Sequence, residues 1–215
     1  MTTVVVVDDE ALIRSSLELI LHATDDLRVV ATATGGGAVD VVAEHRPDVV
    51  LLDVRMPDRD GLAVLADLVA LPAPPAVAML TTFDADEYLG TAIAGGAAGF
   101  LLKDTHPEQL VQYVRTLAAG GTVLAPGLSR RLLGTPDRAG ERTAADLVER
   151  LSPREVDVLR LLATGATNAE IAPVLHVAPG TVKDAVSSLL RKLEVATRVE
   201  AALVAERSGL LDARA

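Results

Sequence analysis

The sequence predicts an α/β domain, a doubly wound parallel sheet of five strands, followed by a small all-α domain of four helices. Three observations carry this reading. Short apolar runs rich in β-branched residues alternate with helix-spaced segments across residues 1–120. From Leu151 the strand signal ends, and capped, helix-spaced segments follow one another. The charge divides at the same place: residues 1–125 hold 7 basic and 18 acidic residues, a net of −11, while residues 150–215 hold 9 and 8, a net of +1. A chain of 215 residues has room for two small domains of such different character.

Taken in order, Val4–Val7 is a valine run too short for a helix and β-branched throughout, which makes a buried strand. Ala11–His22 places Leu12, Ile13, Leu17, Ile20 and Leu21 at helical spacing. Further strands are expected at Arg28–Ala33, Val49–Leu52, Ala76–Thr81 and Gly99–Leu102. Helices are expected at Gly37–Glu44, Leu62–Leu71, Asp86–Ala94 and Pro107–Ala119, although the Gly35-Gly36-Gly37 run weakens the start of the first of these. Continuous apolar strands alternating with helices form parallel sheets covered on both faces. Residues 126–149, with four charges of each sign, read as a linker dense in turn formers with a helical end from Thr143 to Arg150. Ser152-Pro153-Arg154-Glu155 then opens a helix with Ser at the N-cap, Pro at N1 and Glu at N3. Thr167-Asn168-Ala169-Glu170 opens a second helix ending at Leu175; Thr181–Leu193 is a third and Arg198–Ser208 a fourth. Short helices joined by a tight turn suggest a helix-turn-helix bundle. The expected domains are 1–122 and 148–215, with 123–147 as linker.

Composition narrows the function. Cysteine is absent, which excludes disulfides, thiolate metal sites and a cysteine nucleophile. Phe83, Phe100, Tyr88 and Tyr113 are the only aromatics, too few for a platform that stacks single-stranded bases. His22, His45, His106 and His176 show no metal-ligand spacing. No basic region followed by an apolar stretch opens the chain, and charge breaks every apolar run, so a soluble, cytoplasmic protein without a membrane partner is expected.

The informative pattern is what ends each strand. Val4–Val7 ends in Asp8-Asp9-Glu10, Val49–Leu52 in Asp53, Ala76–Leu80 in Thr81-Thr82, and Gly99–Leu102 in Lys103. Ligands bind beyond the carboxyl ends of the strands in open parallel sheets, so these residues converge. Three carboxylates brought together repel one another and call for a hard cation such as Mg²⁺, with Lys103 and the Thr81 hydroxyl opposite to hold anionic oxygens. That is the equipment of phosphoryl transfer to a carboxylate. Each residue also has an ordinary reading, because acidic residues after a strand cap helices and a lone Asp or Lys is commonly a solvated loop residue. Capping does not explain why a polar residue of a fixed type stands at four strand ends.

These residues also carry a resemblance. Val5-Val6-Val7-Asp8-Asp9-Glu10, Val50-Leu51-Leu52-Asp53-Val54-Arg55-Met56-Pro57 with Asp60-Gly61, Leu80-Thr81-Thr82-Phe83, and Gly96–Asp104 resemble the receiver domain of two-component response regulators, a flavodoxin-like fold. The resemblance implies that Asp53 is the phospho-acceptor and that Asp8, Asp9, Asp53 and the Arg55 backbone carbonyl hold Mg²⁺. It also implies that Thr81 and Lys103 contact the phosphoryl group and that Thr81 and Phe100 form a switch pair. A sensor histidine kinase is the implied phosphoryl donor.

Leu151-Ser152-Pro153-Arg154-Glu155, Asn168-Ala169-Glu170-Ile171-Ala172, Gly180-Thr181-Val182-Lys183 and Arg191-Lys192-Leu193 resemble the LuxR-type helix-turn-helix domain, so nearly the whole chain resembles a NarL/FixJ-type response regulator. This implies a transcription regulator, not an enzyme, that binds double-stranded DNA as a homodimer formed on phosphorylation. The third helix enters the major groove in that family. Here Thr181, Lys183, Asp184, Ser187 and Ser188 are the expected contacts, with Thr167 and Asn168 at a helix start suited to phosphate. Val182, Val186, Leu189 and Leu190 face the core. Three features depart from the family pattern: Asp184 places an acid at the groove, Ala178 lacks a capping side chain, and Pro173 predicts a kink. Asp184, Pro173 and the near-neutral charge motivate an alternative in which the helical domain is a protein-interaction module that has lost DNA binding.

Overall fold

The computed structural model describes residues 1–81, 86–124 and 138–211. They fall into two compact units, the first comprising Met1–Ala118 with a strand at Val123–Leu124, the second carried by the helices from Arg138 onward. Thr82, Phe83 and residues 125–137 of the expected linker lie outside the described residues. No helix among the described residues is long and apolar enough to cross a membrane.

The first unit is a parallel sheet of β1 (Thr2–Val7), β2 (Leu27–Ala33), β3 (Val49–Asp53), β4 (Ala76–Thr81), β5 (Gly99–Leu102) and β6 (Val123–Leu124), in the order β2-β1-β3-β4-β5-β6. The sheet therefore has six strands where five were expected. β6 pairs only Val123 with Gly99 and Leu124 with Phe100, and two residues carry no periodicity from which a strand can be read. The strand order turns back between β1 and β3, which puts the open crevice at the ends of those two strands.

Helices α1 (Ala11–His22), α2 (Ala38–His45), α3 (Gly61–Val69), α4 (Asp86–Ala94) and α5 (Pro107–Ala118) link the strands. The pleat assigns their faces. Val4, Val6, Leu51, Leu80 and Leu101 pack with Leu17 and Leu21 of α1 and Leu110 and Val114 of α5. Val5, Val7, Val50, Leu52 and Met79 have the opposite parity and are buried as well, on the face covered by α3. Burial on both faces is why the strands read as unbroken apolar runs, each such side chain contributing about 1.5–3 kcal/mol. Leu12 departs from expectation, since it stands on the solvent side of α1 at 77% exposure. The Gly35–Gly37 run forms a single 3₁₀ turn, and α2 begins after it.

The second unit contains α6 (Arg138–Glu149), α7 (Pro153–Ala163), α8 (Asn168–Val174), α9 (Pro179–Lys192) and α10 (Arg198–Arg207). Leu147 and Val148 of α6 pack against the core of this unit, so its first helix starts ahead of residue 148 and ahead of the Thr143 start expected for the linker's end. Ser152, Thr167 and Thr197 each close a capping box, with Glu155, Glu170 and Glu200 reaching back. Ala178 caps α9 without a side-chain hydrogen bond. Pro173 lies inside α8, which continues to Val174, and His176 beyond it adopts φ +53°. Leu159, Leu162, Ile171, Val182, Val186 and Leu189 form the centre of the core.

Candidate functional site

Asp8 follows the last residue of β1, and Asp53 ends β3. The two strands run side by side in register, Val7 opposite Leu52, so their carboxylates emerge together at the crevice. Asp8 is fully buried and Asp53 is 4% exposed. Ligand oxygens of Asp8, Asp9 and Asp53 lie within 4.8 Å of one another. The Asp8 Oδ1 accepts the Glu10 N–H at 2.8 Å, which folds the acidic turn back on itself.

Lys103, just past β5, reaches across the strand ends. Its ammonium donates to Asp53 Oδ2 at 3.0 Å and lies 3.4 Å from Glu10 Oε1. It also stands 2.9 Å from the buried Asp8 Oδ2, an ion pair that this oxygen shares with no other donor. The Lys103 backbone N–H donates to the Thr81 carbonyl at 2.8 Å, which ties the two strand ends together. Burial raises the Asp53 carboxyl above the ordinary carboxylate range, against the opposing pull of the Lys103 ammonium. Burial also opposes the charge on Lys103, but the Asp8 and Asp53 carboxylates outweigh it and hold the ammonium above its ordinary value.

A cation fits this arrangement. Three carboxylates form an all-oxygen donor set of the kind Mg²⁺ prefers, and the buried Asp8 Oδ2 meets only the Lys103 ammonium. Asp53 also receives a backbone hydrogen bond from Arg55, whose guanidinium lies 5.2 Å from the Tyr88 ring centroid.

Thr81 is 3% exposed, and Phe100 is fully buried. Thr81 pairs with Leu102 and Met79 with Phe100, so Thr81 and Phe100 are diagonal neighbours on the face opposite α1 and α5. This brings the two expected switch residues onto one surface beside the acidic site.

Two residues take supporting roles that the sequence reading did not assign. The Arg14 guanidinium donates to the carbonyls of Asp8 at 2.6 Å and Asp9 at 3.0 Å, holding the acidic turn from α1. A single Arg in an amphipathic helix gives no sign of this. Gly61 starts α3 behind the Asp60 cap, with its backbone pressed so closely on β3 that an added Cβ would stand 2.2 Å from the Asp53 carbonyl oxygen.

In the second unit, Thr181, Lys183, Asp184 and Ser187 are exposed along α9 and Ser188 is half-buried. The expected cores of that helix, Val182, Val186 and Leu189, are buried, and Leu190 packs against them. Thr167 and Asn168 stand at the start of α8, as expected. Thr167 is 6% exposed, and its hydroxyl accepts the Glu170 N–H at 3.2 Å, so the side chain closes α8 from within. The Asn168 Oδ1 accepts from Arg198 at 2.8 Å, which ties the start of α8 to α10. A capping-box Thr and an Asn at a helix start look the same in sequence whether they face solvent or a neighbouring helix. Arg191, exposed on the outer side of α9, was missed as a member of that surface.

Residues 4–115 match the response regulator receiver domain family, and residues 149–205 match the luxR family of bacterial regulatory proteins. The chain is 39% identical over 210 residues to the probable transcriptional regulatory protein NarL of Mycobacterium tuberculosis, covering 97% of this chain and 95% of that one. It is 34% identical to the nitrate/nitrite response regulator protein NarL of Escherichia coli, covering 94% and 93% of the two chains. Among solved structures, the response regulator ChrA of a heme-sensing two-component system is 31% identical, with a TM-score of 0.54 over 97% of this chain and 98% of that chain.

Proposed function

The chain belongs to the two-component response regulators that join a receiver domain to a LuxR-type DNA-binding domain, and we propose that phosphorylation of Asp53 by a sensor histidine kinase controls its binding to promoter DNA. The observation that carries this is the buried Asp53 carboxylate, 3.0 Å from the Lys103 ammonium and grouped with Asp8 and Asp9. Residues 1–122 are the receiver in this reading. The DNA-binding part is 148–215, and 123–147 is the linker between them, its end helical from Arg138.

Asp8, Asp9, Asp53 and the Arg55 carbonyl would hold Mg²⁺, which when bound offsets the charge shared by the carboxylates and the incoming phosphoryl oxygens. A carboxylate oxygen of Asp53 forms the new bond to phosphorus as the bond to the donor's leaving nitrogen breaks. The Lys103 ammonium opposes the effect of burial on the Asp53 carboxyl and then pairs with the phosphoryl oxygens. The Thr81 hydroxyl turns toward the same oxygens and vacates space on the face it shares with Phe100. Occupation of that space biases an existing equilibrium toward a form that dimerises. The dimer presents two copies of α9 to paired half-sites in DNA, with Thr181, Lys183, Asp184, Ser187 and Ser188 at the groove.

Mass spectrometry after treatment with acetyl phosphate and Mg²⁺ should place the phosphoryl group on Asp53, with none acquired by Asp53→Asn. A label on another residue overturns the acceptor assignment. For DNA, binding should weaken with salt at a slope near −0.9 per phosphate neutralised, and Lys183→Ala should reduce that slope by about one contact. Asp184 and the net charge of +1 over residues 150–215 favour a second reading, a protein-interaction module. Absence of duplex binding at low salt selects it.

A further inference from the structure

Helix α9 buries Val182, Val186 and Leu189 and exposes Thr181, Lys183, Asp184, Ser187 and Arg191. Asp184, Ser187 and Arg191 follow one another at three- and four-residue steps, so they form one line along the outer face. Ser187 is turned back on its own helix, donating its hydroxyl proton to the Lys183 carbonyl at 3.0 Å. No hydrogen bond or ion pair reaches the Asp184 carboxylate, the Lys183 ammonium or the Arg191 guanidinium among the described residues. The face therefore offers an unpaired acid flanked by two unpaired cations. This acid caps nothing and balances no neighbour, so its cost against a polyanionic duplex is not offset by any role inside the fold.

The major groove decides what such an acid can meet. An ionised carboxylate only accepts hydrogen bonds. Guanine and thymine present acceptors there, and adenine sets its amino group beside the N7 acceptor. Cytosine alone presents an amino donor with no acceptor on the same base edge. We infer that Asp184 makes this helix selective for a cytosine at a fixed position of each half-site, the cytosine N4 amino group donating to the Asp184 carboxylate. The guanine of that pair shows O6 and N7, which suit the neighbouring Lys183 ammonium, while Arg191 lies further along toward the phosphates. This rests on the reading of α9 as a DNA-contacting helix.

The test is selection from a randomised duplex library with the full-length, acetyl phosphate-treated chain, comparing the wild type with Asp184→Ala and Asp184→Asn. The wild type should enrich half-sites holding one cytosine preferred about 10-fold over other bases. Asp184→Ala should lose the preference at that position alone and keep the rest of the motif. Asp184→Asn should move it toward adenine, whose N6 and N7 match a carboxamide. A wild-type motif without a fixed cytosine, or one that both variants reproduce unchanged, overturns the inference and leaves DNA binding intact. Failure of the wild type to enrich any sequence removes the DNA-binding reading and this inference with it.

Discussion

Replacing Gly61 with alanine tests how the acidic site is held in place. The new Cβ would stand 2.2 Å from the Asp53 carbonyl oxygen, 2.8 Å from the Val54 oxygen and 2.9 Å from the Val54 Cα. All three are backbone atoms, so no side chain can swing aside. Relief requires separating the start of α3 from the end of β3 by about 1 Å, at the upper end of overpacking costs, about 3 kcal/mol. That lowers the melting midpoint of the N-terminal unit by about 10–15 °C. Gly90 supplies the contrast: it lies within α4, and a Cβ there meets nothing within 4 Å. Gly90→Ala should stabilise by about 0.5–1 kcal/mol. Calorimetry of the two variants against the wild type is the assay. A Gly61→Ala protein melting within about 2 °C of the wild type would refute the close approach as the reason for glycine.

Lys103→Met leaves the buried Asp8 and Asp53 without their cation, which costs about 3–5 kcal/mol at pH 7. Burial already raises Asp53, so the folded form takes up a proton before the unfolded chain does. Through this group acidification favours the fold, and the variant's deficit in urea melts should shrink from pH 7 toward pH 5; a deficit that widens contradicts the assignment. In the second unit, the Lys192 ammonium and the Ser152 backbone and hydroxyl lower Glu155 from 4.5 to about 2. That stabilisation is complete above pH 4.5 and is lost as pH falls toward 2, so Glu155→Gln should cost about 1 kcal/mol at pH 7, discounted for the exposed lysine, and converge with the wild type in acid. Mg²⁺ at 100 times its Kd should stabilise the wild type by about 2.7 kcal/mol in thermal melts. Asp9→Asn should lose most of that gain, and an undiminished gain removes Asp9 from the site.

The strands and the convergence of Asp8, Asp53, Thr81 and Lys103 were legible because both depend on local pattern. An unbroken apolar run followed by a polar residue marks the end of a parallel strand, and the sheet gathers those ends. What lay hidden depends on neighbours distant in sequence. β6 exists because β5 offers an edge to two residues. Arg14 gains its role from the acidic turn packed beside it. Asn168 faces Arg198, thirty residues away, so its polarity serves the joint between two helices. α8 continues past Pro173 and closes where Val177 and His176 donate back to the Ala172 and Pro173 carbonyls, contacts that the Pro alone does not announce.

In the proposed regulator, chemistry at Asp53 sets DNA occupancy at α9. The most direct measurement is a fluorescence anisotropy titration of a paired half-site duplex at fixed salt, with and without acetyl phosphate and Mg²⁺, for the wild type and Asp53→Asn. A coupling of about 1–3 kcal/mol predicts a roughly 5- to 150-fold tightening for the wild type and none for the variant. Equal affinities across all four samples, or a tightening that Asp53→Asn retains, would contradict it.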